Sequence, residues 1–301
     1  MTGQQATKTD AAFEIPVFYT PKMVAAIESF SPSSSKPKYV MQSWLRLGVP
    51  ISVMEPLPIT TAQLYLAHDR QYVDDLLNCH IPNGFGNHSP EVAASLPWTS
   101  GAMLTAARQA ISSGLVAVAP CSGFHHACHD HGGGYCSVNG LMVTCCVLLR
   151  EGKAAHIGIL DLDHHYGDGT DDIIKVLGLE QSVLHFSAGA NWYKPNQAEL
   201  FLQILPSIVE EFARCDILIA QLAADPHVDD ELGGWMTTQQ LMQRDSIVFE
   251  TARRIALPVA WCLGGGYQTP LRKVLSLHDN TMVTCSHVFA GEAGIRKPVA
   301  L

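Results

Sequence analysis

The sequence lacks the charge and the hydrophobic runs that several large protein classes require. Its 28 acids outnumber its 19 bases, which gives the 301 residues a formal net charge of -9 and no basic surface for nucleic acid or an anionic membrane. No apolar run approaches the roughly 18 residues that a bilayer-spanning helix needs. The polar N-terminus also has no secretory signal. We therefore expect no nucleic-acid partner and no membrane insertion.

The nine cysteines lack the paired spacing of a disulfide framework or a Cys-x-x-Cys metal site. Cys145 and Cys146 are adjacent in an apolar run, "LMVTCCVLL", which is typical of a buried helix. Because free thiols persist in a reducing compartment, we expect a cytoplasmic protein.

Internal repeats and long linkers are absent as well. The Ser-rich stretch at 29–38 and the Gly- and Pro-rich stretch at 80–91 are too short to separate two domains. We expect residues 1–301 to form one domain in which residues 1–12 are flexible. The two stretches are expected either to contact a second copy, in a homo-oligomer, or to surround a site entrance.

Short apolar segments rich in β-branched residues alternate with segments of helical spacing. Strands are predicted at 49–54, 115–119, 156–163, 182–186, 216–223 and 257–263, and helices at 99–114, 196–215 and 237–255. This alternation indicates the α/β class, with a mainly parallel sheet covered by helices on both faces. Thr99, Asn196 and Thr237 are predicted to cap the helices at their N-termini.

Polar side chains follow four of the predicted strands, where parallel sheets collect functional groups. They are His125 and His126 after the second strand, Asp161, Asp163 and His165 around the end of the third, Asp225 after the fifth and Tyr267 after the sixth. Each taken alone has an ordinary explanation, such as a hydrogen-bonded carboxylate at a strand end. Their occurrence at four separate strand ends favours a functional site.

Asp161, Asp163 and His165 share one parity, so an extended chain projects them to the same side. With Asp225 from another strand end, they suit Zn²⁺ with an open position for water, and such oxygen and nitrogen ligands also accept Fe²⁺. His129 and His131 lie on a Gly-rich loop and are expected to be rim residues.

The motifs in this order resemble the zinc-dependent histone deacetylase and acetylpolyamine amidohydrolase family. The resemblance covers about residues 60–276 and rests on "SGFHHA", "GGYCSVN", "DLDHHYGDGT", Asp225 with "DELGG" behind it, and "LGGGY". It implies a single catalytic domain with the arginase-like α/β fold.

The resemblance also implies a role for each matching residue. The implied zinc ligands are Asp163, His165 and Asp225. The implied catalytic groups are His125 and His126, the carboxylates of Asp161 and Asp168 that orient them, and Tyr267. Gly134 and Tyr135 are implied to form one wall of the acyl-chain tunnel, with Trp192 or Tyr193 opposite.

The chain departs from the family pattern at several places. The Ser-rich stretch replaces an acidic, Arg-containing start, and "LAAD" replaces Gly-Phe-Asp before the third ligand. His185 lies near where the family has a serine that helps to bind a structural monovalent cation (K⁺), which puts that cation in question.

The resemblance implies zinc-dependent hydrolysis of an acylated amine, either acyl-lysine or an acetylpolyamine-like compound. Two alternatives stay open. One is a catalytically silent module that binds acyl-lysine. The other is a ureohydrolase on the same fold, which uses a cluster of two metals.

Overall fold

The chain folds around a parallel sheet. The computed structural model describes residues 13–291. Its strands are β1 (Ile15–Phe18), β2 (Ile51–Met54), β3 (Val116–Ala119), β4 (Ile157–Asp161), β5 (Val183–Ser187), β6 (Ile217–Leu222) and β7 (Val259–Leu263). They lie in the order β2-β1-β3-β7-β6-β4-β5, and every pair is parallel. The predicted α/β class is confirmed, and each of the six predicted strands is present.

Helices cover both faces of the sheet. They are α1 (Lys36–Trp44), α2 (Thr61–Leu64), α3 (Arg70–Leu77), α4 (Pro90–Ser113), α5 (Gly140–Arg150), α6 (Asp168–Leu177), α7 (Ala198–Glu210), α8 (Thr238–Arg254) and α9 (Arg272–Ala290). One core layer contains α1, α7, α8 and α9, and the other contains α2 to α6. Adjacent strand residues alternate between the layers: Trp261 packs in the first and Cys262 in the second. No helix of residues 13–291 has the length and apolarity to span a bilayer.

The sequence predictions omit strand β1 and helices α1, α2, α3 and α9, and they place two helix starts incorrectly. Strand β1 is four residues long and contains Pro16, so its apolar signal is weak, yet it pairs with both β2 and β3. Helix α4 begins at Pro90, capped by Ser89, and continues through Pro97, so Thr99 is not an N-cap. Asn196 is not an N-cap either, because a 3₁₀ turn precedes α7. Thr237 does cap α8: its hydroxyl accepts from Gln240 N at 3.3 Å.

The strand order determines where the predicted site residues meet. Strands β3, β7, β6 and β4 are consecutive neighbours, although they are distant in the chain. Because all are parallel, their carboxyl ends lie at one edge of the sheet. The four segments that the sequence singles out therefore emerge side by side. The predicted flexible segment 1–12 lies outside the described residues.

Candidate active site

Two carboxylates and an imidazole converge beyond β4 and β6. Asp163, His165 and Asp225 each offer a ligand atom, and these atoms lie within 4.8 Å of one another. His165 directs Nδ1 to both carboxylates, 3.2 Å from Asp163 Oδ1 and 3.1 Å from Asp225 Oδ2. Both aspartates are buried, while the His165 side chain is 34% exposed. The cluster is thus accessible from one side.

The charges in this cluster favour a bound cation. Burial, and then the nearby charge of Asp163, raise the pKa of Asp225 to about 7. Burial also opposes ionisation of Asp163, but His125 and His165 outweigh it and hold its pKa well below the usual value. Two buried carboxylates at this separation repel each other unless a positive charge lies between them. The Asp, His, Asp donor set fits a first-row divalent metal with an open position.

The glycines after β7 let the backbone approach these ligands. Gly265 N donates to Asp163 Oδ2 at 2.8 Å. A Cβ atom at Gly265 would collide with the Asp225 carboxylate. The "GGGY" motif therefore provides a hydrogen-bond donor where no side chain fits.

Two histidine–carboxylate pairs lie beside the cluster. His125 Nδ1 is 2.8 Å from Asp161 Oδ2, and His126 Nδ1 is 2.6 Å from Asp168 Oδ1. The two imidazole centroids are 4.0 Å apart. Side-chain parity groups Asp161 with the metal side, but the Asp161 carboxylate points to His125 and also accepts from Gln221 Nε2.

The surroundings push the pKa values of the two histidines apart. Burial lowers the pKa of His125, but the carboxylates of Asp161 and Asp163 outweigh it and raise it to about 9. Burial, followed by the charge of His125, lowers the pKa of His126. Neighbouring titratable groups with separated pKa values are typical of an acid–base site.

Tyr267 lies among aromatic side chains next to the cluster. Its ring centroid is 6.0 Å from that of Tyr135 and 5.9 Å from that of Phe30, which is nearly parallel to it. Burial, and then the Asp225 carboxylate, raise the pKa of Tyr267 above its usual value, so the hydroxyl stays protonated and able to donate.

Gly134 and Tyr135 both have left-handed backbone conformations, with φ of 53° and 65°. A Cβ atom at Gly134 would lie 2.6 Å from His126 Cδ2, so only glycine fits against that ring. The turn directs Tyr135 towards Tyr267 and Phe85. Neither residue expected on the opposite wall lines the cavity that contains Tyr135 and Tyr267: Trp192 packs on Phe201, and Tyr193 is exposed.

Asp163, Tyr135 and Tyr267 line one cavity, and sequence reasoning missed two further polar residues that line it, Lys36 and Gln221. Lys36 is buried and donates from Nζ to the carbonyl of Gly264. Burial lowers its pKa to about 8, although the charge of Asp225 opposes the shift. The Ser-rich stretch around Lys36 has no apolar pattern that predicts burial. Gln221 lies in a predicted strand at an even spacing from Asp225. Period-two alternation could therefore have placed the two side chains on the same side.

The serine beside Asp161 is Ser187, and it was not identified from the sequence. Ser187 pairs with Asp161 across β4 and β5, and its hydroxyl lies 3.4 Å from Asp161 Oδ2. His185 instead places Nδ1 2.7 Å from Asp171 Oδ1. The substitution suspected at His185 therefore does not remove the serine from the neighbourhood of Asp161.

The remaining histidines of the motifs lie outside the ligand cluster. His129 Nδ1 is 2.9 Å from the Ala67 carbonyl, and His131 is exposed beside Asp130. The His164 ring packs edge-on to His165.

Comparisons with known proteins show what the chain is similar to. The histone deacetylase domain matches residues 33–191, more than half of the chain. An uncharacterized protein of Picosynechococcus sp. is 30% identical over 299 residues, covering 88% of this chain and 96% of that protein. Acetylpolyamine amidohydrolase 2 of Pseudomonas aeruginosa is 45% identical over 49 residues, 16% of this chain and 14% of that enzyme.

The fold has a solved counterpart. The crystal structure of an acetylpolyamine aminohydrolase from Burkholderia pseudomallei superposes with a TM-score of 0.70 at 17% identity, covering 91% of this chain and 99% of that one. The domain match spans the segment from His125 to His165, and the strand order adds Asp225 and Tyr267 to the same site. The chain belongs to the histone deacetylase domain family.

Proposed function

We propose that this protein is a zinc-dependent amidohydrolase that removes an acetyl or other acyl group from an amine. One observation carries the proposal: the Asp163, His165 and Asp225 cluster lies beside two histidine–carboxylate pairs and a half-buried tyrosine, Tyr267. A metal site, a base and an oxyanion donor are the groups that amide hydrolysis requires.

Asp163, His165 and Asp225 would hold Zn²⁺, and the same atoms could hold Fe²⁺. When bound, the metal supplies Lewis-acid polarisation of the amide carbonyl and lowers the pKa of a water molecule. Asp161 and Ser187 are candidates to help hold a structural K⁺, because their side-chain oxygens lie close together next to His125.

His126 acts as the general base. Its Nδ1 donates to Asp168, which leaves the Nε2 lone pair free to take a proton from the attacking water. The same nitrogen then donates that proton to the amine as the carbon–nitrogen bond breaks. Asp168 lies at the first position of α6, so the carboxylate that orients His126 is itself held by a helix.

His125 and Tyr267 stabilise charge. His125 lies between Asp161 and Asp163, with Nε2 3.8 Å from Asp163 Oδ1, and the charges of these carboxylates outweigh burial and raise its pKa, which favours the cationic form. The Tyr267 hydroxyl donates a hydrogen bond to the oxyanion that forms from the carbonyl oxygen. Tyr135 and Gly134 border the path by which the acyl group reaches these residues.

The proposed substrate is an acylated amine such as acetyl-lysine in a peptide or an N-acetylated polyamine. Turnover of both by the purified, metal-quantified protein, with and without a hydroxamate chelator, tests the proposal. We expect chelator-sensitive cleavage of at least one class. A protein that carries one metal per chain but cleaves neither class, as acetyl or as longer acyl derivatives, contradicts the proposal and favours the binding module.

A ureohydrolase is the second candidate from the same fold, and metal stoichiometry separates the two. Within residues 13–291, one group of three ligands has the required spacing, and a two-metal cluster needs further Asp and His ligands. We expect one catalytic metal per chain. The cytoplasmic compartment and the homo-oligomer stay predictions.

The acid side of the pH profile should report His126. A neutral imidazole is needed to accept the proton, and the pKa of His126 lies below its usual value of 6.5. Activity is therefore retained at neutral pH and lost only as the pH falls through a value below 6.5. The Asp168→Asn variant loses the carboxylate that raises this pKa, so its acid limb moves lower while the rate falls. The dependence of kcat/KM on pH, measured for the parent and for the Asp168→Asn variant, tests both expectations. An acid limb above pH 6.5 in the parent contradicts the role of His126 as the base.

A further inference from the structure

We infer that Arg244 is a positioning residue that sets the spacing of the metal ligands Asp163 and Asp225. The inference rests on the proposed metal site. Arg244 lies in α8 and is 2% exposed. It touches none of the three ligand side chains and acts through the backbone.

The guanidinium of Arg244 joins the ends of two strands. Its Nη1 donates to the carbonyl of Leu162 at 3.2 Å and to that of Ala223 at 3.0 Å. Leu162 directly follows β4 and precedes Asp163, while Ala223 directly follows β6 and lies two residues before Asp225. Arg244 therefore bridges the strands at the point where the ligands leave them.

The backbone ladder ends at this point. The last hydrogen bond between the strands runs from Leu162 N to Gln221 O at 3.0 Å. Among the described residues, no backbone N–H donates to the carbonyls of Leu162 or Ala223. A buried carbonyl without a donor is unfavourable, so Arg244 also stabilises the strand ends by satisfying two groups that would otherwise be unpaired.

The arginine is itself held in one orientation. Its Nε donates to Asp245 Oδ1 at 2.8 Å, and Asp245 Oδ2 accepts from Thr281 Oγ1 at 2.6 Å. Asp245 and Thr281 are both buried, so the guanidinium of Arg244 is anchored between α8 and α9. A buried ion pair of this kind is weak evidence for stability, because desolvation offsets the attraction. A geometric role accounts better for a buried guanidinium at this place.

Lysine cannot reproduce this geometry. It keeps the positive charge, but its ammonium is a compact point charge that cannot match the planar fork bonded to Asp245 and both carbonyls. Without the bridge the two strand ends are free to separate, and the ligand set loses its preset spacing. Substitution of residues that hold metal ligands in place typically weakens metal binding about 10- to 100-fold.

The test compares Arg244→Lys with Arg254→Lys. Arg254 lies in the same helix, is exposed and pairs with Glu210 at 2.7 Å, so its substitution is a matched control. Zinc affinity is measured by competition with a chromophoric chelator, and the Co²⁺-loaded proteins are compared by their visible absorption bands. We expect about 10- to 100-fold weaker zinc binding and altered Co²⁺ bands in R244K only. A change confined to folding stability would leave the Co²⁺ bands unchanged.

Thr281→Val provides a second variant if R244K does not fold. It removes the hydroxyl that holds Asp245 and changes no charge. We expect a smaller weakening of zinc binding. The inference would be overturned if a folded R244K had the zinc affinity and the Co²⁺ bands of the parent. If R244K does not fold, the same result in T281V would overturn it. A parent protein that binds no zinc would instead contradict the proposed function.

Discussion

Replacing Asp225 with alanine is expected to abolish metal binding and, with it, turnover. Asp225 is one of two carboxylates in a three-residue ligand set, so alanine leaves one carboxylate and one imidazole. The metal-free variant should remain folded, because the change also removes a buried carboxylate that repels Asp163. Metal content after gel filtration, together with thermal unfolding, measures both effects.

The Asp229→Ala variant is a suitable control for this experiment. Asp229 lies four residues later, on the same segment after β6, and its side chain is exposed. We expect D229A to retain the metal content of the parent. Full metal occupancy in D225A would mean that Asp225 is not the third ligand and that another side chain completes the site.

Replacing Tyr267 with phenylalanine is expected to leave metal binding intact and to lower kcat about 10²- to 10³-fold, as for other single oxyanion donors. The substitution removes one hydroxyl and keeps the ring that packs near Phe30 and Tyr135. Because the hydrogen bond forms to the oxyanion of the transition state, KM should change little. Steady-state kinetics and metal analysis on the same preparation separate the two roles.

The Tyr39→Phe variant controls for the loss of a tyrosine hydroxyl elsewhere. Tyr39 lies in α1 and is 37% exposed. We expect Y39F to match the parent in kcat and metal content. A Tyr267→Phe enzyme with parental kcat would remove the hydroxyl from the mechanism and leave oxyanion stabilisation to other groups.

The residues of the candidate site were largely predictable from the sequence because they occur in short local patterns. "DLDHHYGDGT" places Asp161, Asp163, His165 and Asp168 within eight positions, and a strand followed by a helix is evident from hydrophobic spacing. Local spacing was less informative where a signal was short or ambiguous. Strand β1 and the start of α4 at Pro90 depend on packing against neighbours that the sequence does not specify.

The direction of individual side chains required the tertiary structure. Period-two parity groups Asp161 with Asp163, yet Asp161 points to His125. The regular strand ends at Asp161, so parity no longer fixes the direction of the side chains that follow it. The contacts of Lys36 and Arg244 link residues that are 228 and 82 positions apart. No periodicity within either segment predicts a partner at such a separation.

The sequence by itself therefore determined the residue types, their order and the alternation of strands and helices. These depend on local hydrophobic spacing and on the chemistry of single side chains. Only the tertiary structure decided that β3, β7, β6 and β4 are neighbours, and hence that His125, Asp163, Asp225 and Tyr267 share one site. It likewise decided which buried groups hold that site together, because strand order and long-range contacts are set by packing of the whole chain.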